Sequence, residues 1–242
     1  MRFLGPHACE EALTRGELRI LRIAPTAWDR QARLRESAQA QGVVIHQEPA
    51  ETLDRRAEGQ RHNGVLGEGG QVVLSSLEEL LRRVRARGAS ALVLALDGVT
   101  DPNNFGAILR TAAAAGVDGV IFPERRSAQV NETVVRASAG TAGQVPLVRV
   151  VNLGRALDEL KDAGAWIYGL QAGAGSQSIF QESFDRATVL VMGSEGEGLR
   201  RLVADHCNEL ARIPLPGGFE SLNVSAAAAV ALYEASRPKG LG

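Results

Sequence analysis

Residues 188–199 read TVLVMGSEGEGL, and this stretch decides the fold class. A short apolar run ends at Gly193, and the glycines that follow alternate with Glu195 and Glu197. An apolar strand that runs directly into a glycine turn is typical of α/β proteins, which build small-molecule sites at the carboxyl ends of parallel strands. The stretch therefore predicts a mostly parallel sheet with a ligand site at this turn.

The two glutamates limit which ligand this turn can accept. A loop that holds phosphate presents bare backbone N–H groups and positive potential, whereas two carboxylates repel a phosphate. A ligand with hydroxyl groups or a positive charge, such as a sulfonium, suits the turn better. A nucleotide-dependent oxidoreductase is disfavoured, because no GxGxxG follows a first strand and acids stand where a pyrophosphate would lie.

The composition is that of an ordinary globular protein. The chain has 242 residues, of which 45% are apolar and 23% charged. No apolar run reaches the length of a membrane span, and the first residues lack the long apolar core of a signal peptide. Cys9 and Cys207 are too few for a disulfide framework, and the four histidines lack metal-ligand spacing. We therefore expect a cytoplasmic protein without a metal site.

The net charge of −1 does not by itself indicate a nucleic-acid partner. The basic residues are nearly all arginine, and Lys161 and Lys239 are the two lysines. Arginine forms local phosphate-binding patches even where the total charge is neutral. The charge balance weakens a nucleic-acid hypothesis without excluding it.

The chain divides into two parts of different pattern. Residues 1–70 alternate short helix and strand signals and form a small α/β domain that ends in a glycine-rich stretch. Residues 71–88 form a linker and a connecting helix, which Ser75 or Ser76 begins and Gly88 ends. Residues 89–242 form the second domain.

Each part has its own predicted elements. In the first domain we predict helices at 8–16 and 28–41 and strands at 18–24, 43–46 and 63–68. In the second domain we predict strands at 91–97, 119–122, 145–149, 165–171, 187–193 and 209–213, and helices at 104–115, 130–138, 153–163, 198–204 and 222–236. Unbroken apolar strands indicate a largely parallel sheet covered on both faces.

Two further turns carry polar residues at the ends of strands. Residues 96–112 read LDGVTDPNNFGAILRTA, and residues 212–225 read RIPLPGGFESLNVS. For residues 96–112, one interpretation is that the Asp and Asn side chains simply cap the helix that follows. The other is that Asn104 and Arg110, although six positions apart, both line a cleft above the strand ends.

Together these three turns resemble the ordered motifs of the SpoU/TrmH family of S-adenosylmethionine-dependent RNA ribose 2′-O-methyltransferases. The N-terminal stretches FLGPHACEEAL (3–13) and RHNGVL (61–66), and the connecting stretch at 125–153, resemble the RlmB-like subgroup. That subgroup modifies a guanosine in large-subunit (23S) ribosomal RNA. The resemblance covers nearly the whole chain.

The resemblance implies an architecture and an assembly. It implies an L30e-like RNA-binding domain at 1–70 and a SPOUT α/β domain at 89–242, with a C-terminal trefoil knot that is an exception to the rule against knots. It also implies a homodimer with active sites near the subunit interface, S-adenosylmethionine as cofactor and 23S ribosomal RNA as partner, with no membrane contact.

The resemblance further implies the site residues. The positions that match catalytic residues of the family are Asn104, Arg110, Glu195, Ser221 and Asn223. The positions that match its cofactor pocket, largely through backbone groups, are Leu170, Gln171, Gly193, Ile213 and Leu222. Asn103 stands where histidine is common in the subgroup, and Asn63 replaces a common glutamine.

Two mechanisms for activating the ribose hydroxyl remain open. A ribose hydroxyl is a poor nucleophile, so a base or a stabiliser of its developing charge is required. Because arginine has a pKa above about 12, we favour Arg110 as a group that positions the RNA and stabilises charge, with phosphate or water removing the proton. Glu195 as the base is the rival hypothesis.

Other functions compete with 23S ribosomal RNA methylation. A transfer-RNA 2′-O-methyltransferase of the same family is disfavoured by the L30e-like segment. A catalytically silent RNA-binding or ribosome-assembly factor is disfavoured because Asn104, Arg110, Glu195 and Asn223 are all present.

Overall fold

A computed structural model describes residues 2–69, 74–130, 132–138, 141–171, 176–196 and 198–239. The chain forms two compact units, Met1–Gln71 and Val72–Gly242. Gly70, at the predicted end of the first domain, and Glu197, in the glycine turn, lie outside the described residues. No helix in the described parts of the chain is long and apolar enough to cross a bilayer.

The N-terminal unit is a four-stranded sheet with three helices. The strands are β1 (Arg2–Leu4), β2 (Leu18–Ile23), β3 (Val44–Gln47) and β4 (Val65–Gly69), and the helices are α1 (Pro6–Thr14), α2 (Ala32–Ala40) and α3 (Ala50–Arg56). The strand order is β1-β4-β2-β3, in which only β2 and β3 run parallel. The predicted α/β character is correct, whereas β1 and α3 carried no signal that we recognised.

The C-terminal unit is built on seven strands. The strands are β5 (Leu92–Leu96), β6 (Gly119–Pro123), β7 (Leu147–Val150), β8 (Trp166–Leu170), β9 (Gln177–Ser178), β10 (Thr188–Met192) and β11 (Glu209–Arg212). Their order is β7-β6-β5-β10-β8-β11-β9, and every neighbouring pair is parallel. The predicted parallel sheet is confirmed.

Six helices cover this sheet. They are α4 (Leu77–Arg87), α5 (Pro102–Ala114), α6 (Glu132–Ala137), α7 (Leu153–Asp162), α8 (Arg201–Ala204) and α9 (Val224–Ser236). Leu94 in β5 packs in the core formed with α5, α6 and α9, while its neighbour Val93 packs in the core formed with α4, α7 and α8. Burial on both faces explains why the strands are apolar without alternation.

The helix boundaries follow from capping. Ser76, one of the two residues predicted to begin this helix, forms a reciprocal capping box with Glu79 at the start of α4. The helix predicted at 198–204 is shorter, however, because Gly198 has a φ of 68° and Arg200 is extended. A short α8 leaves residues 193–196 and 198–200 outside any helix at the carboxyl edge of the sheet, and we call these described residues the 193–200 loop.

Candidate active site

The three predicted turns meet at one edge of the seven-stranded sheet. Strands β5, β10, β8 and β11 are consecutive neighbours and parallel, so their carboxyl ends lie side by side. The loop after β5 leads into α5, the loop after β11 leads into α9, and the glycine turn follows β10 between them. Residues more than a hundred positions apart are thereby brought into contact.

The glycine turn is tight at its first residue. A Cβ atom added to Gly193 would lie 2.1 Å from the carbonyl carbon of Gly198, which is closer than real Cβ contacts allow. Ser194 and Gly198 exchange two backbone hydrogen bonds of 3.0 Å each and close the loop. Only glycine therefore fits at position 193, and the turn presents its backbone to the space in front of β10.

A cavity of about 490 Å³ lies in front of this turn, and we call it the glycine-turn cavity. All five residues of the predicted cofactor pocket line it, as do Glu195 and Ser221. The described residues that line it are Leu170, Gln171, Ser176, Met192, Gly193, Ser194, Glu195, Gly196, Gly198, Arg212, Ile213, Leu215, Phe219, Glu220, Ser221, Leu222, Val224 and Ala227.

A polar network forms where the glycine turn faces the two helices. The Asn104 side-chain amide donates a hydrogen bond of 3.2 Å to the Glu195 carboxylate. The Asn223 side-chain amide donates to Asn104 Oδ1 at 3.0 Å and lies 3.5 Å from both oxygens of Glu195. The structure thus joins three of the five predicted catalytic residues, one from each turn.

Helix capping fixes the two asparagines in place. Asn223 Oδ1 accepts hydrogen bonds from the Ser225 backbone and hydroxyl and so caps α9. Asp101 caps α5 by accepting from the backbone N–H groups of Asn103 and Asn104. The capping interpretation is therefore correct, and it is compatible with a place in the site, since the caps aim the amide groups at Glu195.

Arg110 is placed differently from the other predicted catalytic residues. It is exposed on α5 and has no hydrogen-bond or ion-pair partner among the described residues. Six residues of helix separate its direction from that of Asn104 by about 120°. Its guanidinium is therefore free to contact a ligand, and it takes no part in the polar network.

Sequence reasoning missed a buried carboxylate beneath the loop. Asp97 is fully buried at the end of β5 and accepts hydrogen bonds from Arg200 Nε at 2.7 Å and from the Arg200 backbone N–H at 3.0 Å. This pair joins the end of β5 to the end of the 193–200 loop. Nothing in the sequence relates Asp97 to Arg200, because the two residues are 103 positions apart.

The cavity walls indicate which ligand fits. The volume is within the usual range of small-molecule pockets, and the walls combine apolar side chains with backbone groups. Phe219 is 77% exposed at the cavity, where it offers a surface for a flat ring. The carboxylates of Glu195 and Glu220 disfavour a phosphate and suit a positive charge. An adenosine with a sulfonium group meets these conditions.

Comparison with known proteins identifies the family. The model of the SpoU rRNA Methylase family matches residues 91–233. The chain belongs to this family. The matched residues include all three turns and the whole glycine-turn cavity.

Proteins that are similar to this chain are named as methyltransferases of ribosomal RNA. A Xylella fastidiosa protein named 23S rRNA (guanosine-2′-O-)-methyltransferase RlmB is 45% identical over 86% of this chain and 83% of its own length. A Pseudomonas aeruginosa protein of the same name is 43% identical over 97% and 95%. The crystal structure of an AdoMet-bound rRNA methyltransferase from Sinorhizobium meliloti has a TM-score of 0.70 at 27% identity, covering 98% of this chain and 86% of that one.

Proposed function

We propose that this protein transfers a methyl group from S-adenosylmethionine to the ribose 2′-hydroxyl of a guanosine in 23S ribosomal RNA. Full-length relatives above 40% identity are named for this reaction. The structural observation that carries the proposal is the position of Glu195. Its carboxylate lines the glycine-turn cavity, where we propose that the cofactor binds. The same carboxylate accepts a hydrogen bond from the Asn104 side-chain amide, which we propose faces the substrate.

The residues of the cavity fit S-adenosylmethionine. Apolar side chains of Leu170, Ile213 and Leu222 would hold the adenosine, while the close approach at Gly193 leaves backbone groups accessible. When bound, the cofactor supplies an electrophilic methyl group. The chain must then hold a ribose oxygen in line with that group and exclude competing water.

We assign positioning and charge stabilisation to Arg110. Its guanidinium has no partner among the described residues, so it is available to an RNA phosphate and to the 2′ oxygen. A planar guanidinium donates two parallel hydrogen bonds but does not accept a proton at neutral pH. The proton of the hydroxyl therefore passes to RNA phosphate or to water.

We assign an orienting role to Glu195. Both of its oxygens face side-chain amides, and the pairing fixes which way the Asn104 and Asn223 amide groups point. A carboxylate occupied in this way is poorly placed to take a proton from a ribose. Ser221 lines the same cavity, and we propose that it contacts the substrate or cofactor there.

The N-terminal unit and the assembly complete the proposal. We propose that residues 1–70 form an L30e-like domain that selects the RNA site, and that the remainder is a knotted SPOUT domain that dimerises and binds the cofactor. The side chain of Tyr233 on α9 is 48% exposed and is accessible to a second copy of the chain. Ribosomal RNA as the substrate places the protein in the cytoplasm.

Mapping of 2′-O-methyl groups tests the proposal. We expect ribosomal RNA from cells that lack the gene to lose one methylated guanosine in 23S RNA, and expression of the gene to restore it. The purified protein should transfer labelled methyl groups to unmodified 23S RNA but not to transfer RNA. An unchanged ribosomal methylation map, together with labelled transfer RNA, would replace the ribosomal assignment with the transfer-RNA one.

A further inference from the structure

A second cavity, of about 630 Å³, opens at the same edge of the sheet. We call it the arginine cavity, and it lies where β6 and β7 end, beside the first turn of α7 and against α8. Its lining includes Arg125, Arg126, Val151, Arg200, Leu202 and His206. The 193–200 loop begins at the glycine-turn cavity and ends at Arg200, so one loop borders both cavities.

The side chains that line this cavity carry positive charge and no negative charge among the described residues. Arg125 and Arg126 are exposed, and neither guanidinium has a hydrogen-bond or ion-pair partner among the described residues. No carboxylate is among the described lining residues. Two buried or neighbouring acids are already engaged, since Asp97 binds Arg200 and Asp158 binds His206 Nδ1 at 2.8 Å. Two free guanidiniums in a concave site are a binding site for an anion.

Apolar side chains stand beside these charges. Val151 is 85% exposed and Leu202 is 78% exposed, although both are aliphatic. Arg126 has a φ of 59°, in the left-handed region that side chains other than glycine rarely adopt. Exposed aliphatic groups next to guanidinium planes suit an unstacked nucleobase, which contacts apolar groups and stacks on arginine. The cavity therefore matches both parts of a nucleotide.

The distance to the glycine-turn cavity is short on the scale of an RNA strand. The glycine-turn cavity lies at the ends of β10, β8 and β11, and the arginine cavity lies at the ends of β6 and β7, so two to five strand spacings separate the strands of one site from those of the other. Neighbouring strands lie about 4.8 Å apart, so the two sites are about 10–24 Å apart along the edge. A few nucleotides of single-stranded RNA span that distance.

We propose that the arginine cavity binds a nucleotide of the substrate RNA a few positions from the methylated one. Arg125 and Arg126 hold its phosphate, and Val151 and Leu202 support its base. The inference rests on the proposed function, because it assumes that the neighbouring site receives an RNA strand. In this arrangement the RNA strand lies along the edge of the sheet, with the methylated nucleotide at the glycine-turn cavity and another nucleotide in the arginine cavity.

Removal of both free guanidiniums tests the binding. The probe is an unmodified 23S RNA transcript, and the variant is Arg125→Ala with Arg126→Ala. Each lost phosphate contact reduces the slope of log affinity against log salt by about 0.7–0.9, so we expect a decrease of about 1.5 and affinity about tenfold weaker near 0.1 M salt. The KM for RNA should rise while kcat at saturating RNA and S-adenosylmethionine affinity stay unchanged.

The matched control removes two charges elsewhere. Arg82 and Arg83 are adjacent and exposed on α4 and line neither cavity, so Arg82→Ala with Arg83→Ala should leave the salt slope near the wild-type value. Equal slopes for the wild type and the Arg125/Arg126 variant would overturn the inference, even if methylation of 23S RNA is normal. A wild-type protein that binds this RNA but methylates none would instead contradict the proposed function.

Photocrosslinking locates the contact. A benzophenone amino acid at Leu202 should crosslink to RNA within a few nucleotides of the methylated guanosine. The same group at Arg155, which is exposed on α7 outside the arginine cavity, serves as the control. Crosslinks from Leu202 that fall far from the methylated position, or are no more frequent than those from Arg155, would show that the cavity does not hold this strand.

Discussion

The two cavities at the edge of the sheet differ in how the polar groups that we assign to each one are held. At the glycine-turn cavity, Asn104, Glu195 and Asn223 are bonded to one another and held by helix caps. At the arginine cavity, Arg125 and Arg126 have no partner among the described residues. Chemistry requires groups that are fixed before the substrate arrives, whereas retention of a strand requires charges that the substrate itself neutralises.

Arg110 is the residue that could break this comparison. Like Arg125 and Arg126 it is exposed and free, yet we assign it to the reaction. We expect Arg110→Ala to lower the methylation rate at saturating RNA at least about a hundredfold, the size of losing one transition-state donor. Single-turnover assays with labelled S-adenosylmethionine measure this rate. Arg110→Lys should recover little, because lysine lacks the planar fork.

The contrary outcome is equally informative. The cofactor affinity of Arg110→Ala, measured by calorimetry, should equal that of the wild type, and Arg82→Ala on α4 should change neither quantity. If Arg110→Ala raises only the KM for RNA and leaves the saturated rate intact, Arg110 is a strand-holding residue. Arg110, Arg125 and Arg126, which are all exposed, would then all bind RNA rather than take part in the reaction.

Glu195→Gln sharpens the description of the fixed network. A glutamine keeps one acceptor but turns an NH₂ group towards the Asn104 and Asn223 amides. Loss of one hydrogen bond to a charged group costs about 1.5–3 kcal/mol, so we expect a rate lower by about ten- to a hundredfold with an unchanged pH profile. A general base would contribute up to about 10⁴-fold and would impose its own titration on the rate. A pH–rate profile that loses its acidic limb in Glu195→Gln would restore the base hypothesis.

The sheet was predictable because its signals are local. Apolar runs without alternation, each followed by a turn, indicated a parallel sheet covered on both faces, and the seven strands run that way. The short elements were not predictable. β9 has two residues, and β1 has three at the start of the chain, so neither shows a period. The end of the glycine turn was also misjudged, since Gly198 and Arg200 interrupt the helical pattern.

The sequence predicts only those residues of the site that lie in or next to a recognisable motif. Gly193, Ile213 and Leu222 line one cavity because each belongs to a turn that the sequence marks, and Leu170 and Gln171 line it from the end of β8. The Asp97–Arg200 pair joins positions 103 apart, and no local pattern relates them. The arginine cavity likewise combines side chains from the ends of two strands with those of α8, a grouping that exists only after the sheet has formed.

A substitution in the Asp97–Arg200 pair, which lies between the two cavities, has the smallest expected effect. It tests whether ligand binding at one cavity depends on the other. Asp97→Asn keeps the shape of the side chain but removes the charge that holds Arg200. A weakened buried hydrogen bond of this kind costs about 1–3 kcal/mol of unfolding free energy. Because Arg200 ends the loop that borders both cavities, we also expect affinities for S-adenosylmethionine and for 23S RNA to fall together by a few-fold.

Asp118→Asn is the matched control, since Asp118 is a buried aspartate bonded to the Leu92 backbone N–H and paired with Arg87 at the opposite end of β5. Chemical denaturation should show a comparable loss of stability for both variants, but Asp118→Asn should leave both affinities unchanged. If Asp97→Asn lowers stability alone, or weakens only one of the two ligands, the loop does not couple the sites, and the two cavities act independently on the same RNA.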